Sequence, residues 1–119
     1  MTLTLPAAAA LPLDSLVTFT PEGIASRVLG KASGGNLTLF AFDAGQGLTE
    51  HTSPFDAFVL VLDGALALTI GGEAVAATPG TIVRLPATVP HALEATTRTR
   101  MLLVMLKDTP TQERANAQP

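Results

Sequence analysis

The sequence predicts an all-β domain, a sandwich or barrel of two antiparallel sheets. Three observations carry this. Short runs rich in Val, Leu, Ile, Thr and Phe recur between clusters of turn residues, and many short strands with regular turn spacing are the mark of sandwiches and barrels. No helical period survives over a useful length, because Pro6 and Pro12 break the Ala-rich start. Residues 58–62, Phe-Val-Leu-Val-Leu, are apolar at every position, as in a strand covered on both faces.

Taken in order, residues 1–13 are apolar and Ala-rich and read as an extended arm or an edge strand. They lack the basic stretch that opens a secretory signal, since the first basic residue is Arg27. The barrel itself is expected over residues 14–106. Its strands are read at 13–19, 26–31, 37–42, 58–62, 65–70, 73–77, 82–85, 91–95 and 101–106. Gly34-Gly35-Asn36, Gly45-Gln46-Gly47, Asp63-Gly64, Gly71-Gly72 and Pro79-Gly80 punctuate them. Asp63-Gly64 and Gly71-Gly72 each place two residues between apolar runs, the chemistry of a type I′ hairpin. Strands 58–62, 65–70 and 73–77 are therefore expected to form an antiparallel meander. Residues 107–119 are polar, with Pro110 and Pro119 near their ends, and read as a tail.

Composition narrows the function. A chain of 119 residues is one domain. Its hydrophobic fraction of 47% against 14% charged residues is high for a small domain, which predicts apolar surface hidden against a second copy as well as a core. The net charge is −3 and the basic residues are scattered, so there is no basic face to neutralise nucleic-acid phosphates. No apolar run reaches the length of a membrane span. Cysteine is absent, which excludes disulfide and thiol chemistry and is compatible with a cytoplasmic protein. No nucleophile elbow, P-loop or dinucleotide fingerprint is present, and Gly34-Gly35 precedes a strand rather than a helix.

The chain has two histidines, and their settings single them out. The first stands in Gly45-Gln-Gly-Leu-Thr-Glu-His51-Thr-Ser53-Pro-Phe-Asp-Ala57, followed by a strand and Gly64. The second ends Pro86-Ala-Thr88-Val-Pro-His91, after the Pro79-Gly80 turn. These stretches resemble the two motifs of the cupin superfamily. Gly45, His51 and Gly64 match the first motif, Pro86 and His91 match the second, and Thr88 stands where the second has glycine. The resemblance implies a double-stranded β-helix, or jelly-roll, barrel and a homodimer.

It also implies a ligand set. In metal-binding members, two His and a Glu of the first motif join the His of the second; by position these are His51, Ser53, Ala57 and His91. Ser53 offers a neutral hydroxyl and Ala57 no donor. By strand parity Asp56, Glu50 and Glu94 face away from the pocket, with Asp56 left open as a substitute ligand because a kink at Pro54 would change its parity. A catalytic zinc ordinarily has three protein ligands, and non-haem iron two His with a carboxylate. The expectation is therefore a small-molecule-binding barrel whose pocket is marked by His51, His91, Ser53 and Ala57, without a tightly held metal. Imidazoles there can orient a ligand's oxygens or move a proton near neutral pH. Two alternatives stay open: a metal-dependent oxygenase or isomerase holding Fe, Mn, Ni or Zn on His51 and His91, and a non-catalytic dimeric scaffold or regulatory protein. Met101 and Met105 read as core, and Arg84 as an outward-facing charge at an interface.

Overall fold

The computed structural model describes residues 2–3 and 5–107. Ten strands follow one another: β1 (Thr2–Leu3), β2 (Ile24–Ala32), β3 (Gly35–Phe42), β4 (Gly47–His51), β5 (Asp56–Asp63), β6 (Leu66–Ile70), β7 (Glu73–Ala77), β8 (Ile82–Leu85), β9 (His91–Ala95) and β10 (Thr99–Leu106). They form two antiparallel sheets, one in the order β1-β2-β3-β10-β5-β8 and one in the order β4-β9-β6-β7. This is the two-sheet barrel that the strand spacing predicts and the jelly roll that the motif resemblance implies. The expected tail lies outside the described residues except for Lys107.

The two sheets face each other over one core. Phe42, Val59, Val61 and Met101 from the larger sheet pack with Leu66, Leu68, Leu93 and Ala95 from the smaller. Each such side chain stabilises the fold by about 1.5–3 kcal/mol relative to exposure. The alternation of β3 sends Leu39 and Ala41 to the opposite face. There they join Val17 and Leu29 in a second cluster, against which Leu16, Phe19, Leu62 and Leu102 pack. On β5 the pattern is half-met on one side: Ala57, Val59 and Val61 are buried, while Phe58, Leu60 and Leu62 are half-buried.

Three local expectations are corrected. Residues 13–19 do not form a strand. A single 3-10 turn spans Leu13–Ser15, closed by the Ser15 hydroxyl donating to the Pro12 carbonyl at 2.8 Å. Arginines then take the place of a strand partner. Arg27 donates to the Leu16 carbonyl at 3.3 Å, and Arg100 donates to the Val17 carbonyl at 3.3 Å. The Arg100 guanidinium also lies 4.2 Å from the centre of the Phe19 ring, a cation–π contact.

Asp63-Gly64 is a corner between sheets and not a hairpin. β5 pairs with β10 and β8, and β6 pairs with β9 and β7, so no three-strand meander forms. The Asp63 carboxylate accepts from the Arg100 N–H at 2.9 Å and from its guanidinium at 3.0 Å. Ala65 donates its N–H to the Thr99 hydroxyl at 3.0 Å. These bonds carry the chain across. Gly71-Gly72 does make the expected hairpin, with Ile70 opposite Glu73 and both glycines at positive φ. The third correction is β4, which was not among the expected strands. Its Gly and Glu are depleted in strands, and its pairing with β9 supplies what propensity does not.

Thr88 occupies the left-handed region, with φ of 67°. A β-branched side chain is strained there, and the family's glycine is free of that strain. The segment holds because the Thr88 N–H donates to the Ser53 carbonyl at 2.7 Å. Thr88→Gly removes the side-chain clash but adds backbone freedom to the unfolded chain, so a net gain of about 0.5–1 kcal/mol is expected. Urea unfolding checks this, and a loss of stability in the variant would contradict the strain.

Candidate functional site

The four positions picked out by sequence line a single cavity. His51, Ser53, Ala57 and His91 surround it together with Leu48, Leu85, Leu93, Met101, Leu103 and Met105. β9 brings His91 and Leu93 from the smaller sheet, and β10 brings Met101, Leu103 and Met105 from the larger. The cavity volume is about 50 Å³, enough for a few water molecules or one compact group. A wider concavity of about 460 Å³ lies against β4, β9 and β6, lined by residues such as Thr49, Ala67, Thr69 and Glu94. No histidine lines it.

A bulge places His51. Leu48 is paired with Leu93 and His51 with His91, so β4 spends three steps where β9 spends two. In a regular strand Leu48 and His51 would point to opposite faces. The extra residue re-aims the chain, and both line the cavity. Glu50 is exposed and does not line it.

The two imidazoles touch edge to face, with ring centres 4.4 Å apart and planes inclined by 70°. His51 Nδ1 lies 2.8 Å from the Thr49 carbonyl, and His91 Nδ1 lies 3.2 Å from the Val89 carbonyl. A carbonyl can only accept, so each Nδ1 carries the proton that it donates. In the neutral ring that leaves a lone pair on Nε2. Neither Nε2 has a hydrogen-bond partner among the described residues. His91 is 6% exposed, while His51 is exposed at the mouth. The Ser53 hydroxyl oxygen accepts from the Phe55 N–H at 3.2 Å and keeps its own proton to donate.

The carboxylates are elsewhere. Asp56 accepts from the Ala87 N–H at 2.7 Å and lies 3.7 Å from the Arg84 guanidinium, whose side chain is 58% exposed. Glu94 is exposed on the other face of β9. Asp43 is held below the ordinary carboxylate range by the Glu22 N–H first and by Arg98 next, and it does not line the cavity. Among the described residues no group of three His, Cys, Asp or Glu could hold a metal ion. Two imidazoles and a hydroxyl do not fit the three-ligand zinc or two-His-one-carboxylate iron sites.

Sequence reasoning placed Met101 and Met105 in the core and missed that both line the cavity; Met101 is wholly buried in the core, while Met105 is half-buried and belongs to neither core cluster. The signal was present in their spacing: Met101, Leu103 and Met105 are two apart and share one face of β10. It could not show which face looks inward.

A two-sheet jelly roll enclosing a pocket with a histidine from each of its two motifs defines a cupin barrel. The cupin domain family matches residues 38–106, more than half of the chain, and the chain belongs to that family. It is similar to a conserved protein of unknown function from Streptococcus pyogenes, at 33% identity over 92% of this chain and 97% of that one, with a TM-score of 0.85. It is also similar to a cupin superfamily protein from Desulfitobacterium hafniense, at 28% identity over 91% and 100% of the two chains, with a TM-score of 0.84. KdgF from a Halomonas species shares the fold at 19% identity over 79% and 87% of the two chains, with a TM-score of 0.70. No protein of curated function matches. No helix among the described residues is long and apolar enough to cross a membrane.

Proposed function

We propose that this cupin barrel binds a compact small molecule through His51 and His91, without a tightly held zinc, iron, manganese or nickel ion. One observation carries the reading. His91 is almost wholly buried, yet its Nε2 has no hydrogen-bond partner among the described residues and its ring lines the cavity. Among the described residues no side-chain nitrogen or oxygen is both sealed off and unpartnered, so Nε2 opens onto the cavity, where a ligand's hydroxyl or amine can donate to its lone pair. His51 at the mouth offers a second acceptor and Ser53 a donor. Leu48, Leu85, Leu93 and Leu103 supply apolar walls. Few convergent polar groups in an apolar lining are the usual build of a ligand pocket.

The test is a thermal-shift screen of compact polar fragments against the native chain, His51→Ala and His91→Ala. A ligand that binds only the folded state stabilises it by about 2.7 kcal/mol at a hundredfold excess over Kd. At least one fragment should raise the native Tm in a concentration-dependent way and leave both variants unmoved. A silent screen, or equal shifts in all three proteins, would sink the proposal.

A further inference from the structure

The polar atoms around the cavity have fixed roles, and those roles define a head group. Both Nδ1 atoms face backbone carbonyls, Thr49 at 2.8 Å from His51 and Val89 at 3.2 Å from His91. While the rings are neutral, both Nε2 atoms are therefore acceptors. The Ser53 oxygen already accepts from the Phe55 N–H at 3.2 Å, which leaves its hydroxyl proton to give. The complement of this set is a group with two donors and one acceptor.

Space and charge narrow it further. The imidazole centres are 4.4 Å apart, with the rings in edge-to-face contact, so both borders of the cavity are reached from one place. The cavity of about 50 Å³ takes only a few heavy atoms. Two donors carried on one atom fit such a space better than donors on separate atoms. No Asp, Glu, Lys or Arg lines it. An ammonium group would find no carboxylate there, and a carboxylate would bring no proton for the two lone pairs. Burying either charge unpaired is costly. Leu48, Leu85, Leu93 and Leu103 are left to hold a short carbon chain.

We propose that the pocket recognises a compact, neutral primary carboxamide. The NH2 group donates one N–H to Nε2 of His51 and the other to Nε2 of His91, and the amide carbonyl accepts from the Ser53 hydroxyl. This rests on the preceding reading of the pocket as an organic-ligand site and adds the chemical class that the site selects.

The experiment uses the full chain labelled with nitrogen-15 at histidine, at about pH 8, where an ordinary imidazole is neutral. Acetamide, acetone, acetate and ethane-1,2-diol have equal numbers of heavy atoms and differ in donors and charge. Each is titrated to molar concentration while the ring-nitrogen resonances are followed. Acetamide should move both Nε2 resonances upfield with a single dissociation constant. Acetone and acetate lack the two donors, and the diol carries its donors on separate atoms; each should bind about tenfold more weakly or worse. Ser53→Ala should weaken acetamide by about tenfold and keep both Nε2 movements at saturation. Acetone, acetate or the diol binding as tightly as acetamide, movement of one Nε2 alone, or unchanged affinity in Ser53→Ala overturns the carboxamide. A different fragment that moves both rings while acetamide moves neither overturns the class and leaves the pocket as a ligand site. If nothing in this series or in the thermal-shift screen reaches either ring, both proposals fall.

Discussion

Gly64→Ala should be among the most damaging single-methyl changes in the chain, costing about 3 kcal/mol or more and leaving little folded protein. Gly64 has φ of +86°, and a Cβ built there collides with the Arg98 carbonyl oxygen and meets Thr99 Cα at 2.7 Å. Both contacts are backbone and neither can swing aside. The corner is also where Asp63 and Thr99 hold the two sheets in register. Gly72→Ala is the matched control. Its φ is +84° and nothing lies within 4 Å, so it should cost only the left-handed penalty of about 1–2 kcal/mol. Guanidinium unfolding of both variants separates the two costs. Equal losses would show that close packing at the corner is unimportant.

Ser53→His/Ala57→Glu should convert the pocket into a dication site, tightening zinc or manganese binding by roughly a hundredfold or more, since it raises the protein ligands from two to four. The argument is geometric. Positions 53 and 57 already border the cavity that His51 and His91 border, so the added side chains converge without a backbone change. Without metal the variant should be less stable than the native chain, because a carboxylate is placed among leucines and methionines. Metal should restore the loss by mass action. Competition with a chromophoric chelator reads the affinity, and circular dichroism melts with and without metal read the linkage. Zinc affinity unchanged from the native chain would mean that positions 53 and 57 do not aim at the histidines.

Strand identity was readable where side chains alternate or run apolar and where glycines mark the turns, as in residues 73–77 and 91–95. The positions bordering the pocket were readable through the resemblance to the two cupin motifs, carried by the spacing from Gly45 through His51 to Gly64 and from Pro86 to His91. Residues 13–19 were misread because Val17 and Phe19 carry strand-like side chains, while their carbonyls are satisfied by Arg27 and by Arg100, the latter 83 positions from Val17. No local rule reports a partner that distant.

From composition and spacing follow the all-β class and a single barrel, and the resemblance to the cupin motifs implies the two pocket histidines and the replacement of two donors by Ser53 and Ala57. Each depends on residue type and on neighbours a few positions away. Packing alone decided three other things. Gly64 turns between sheets, because Asp63 and Thr99 bind across to distant strands. Met105 stands beside Ala57, because β10 runs antiparallel to β5 in one register. His51 points inward, because β4 carries one residue more than β9 opposite it. A strand's face changes with every residue, so a single unpaired residue reverses it. That residue is defined only against the partner strand, which lies some forty positions further along the chain.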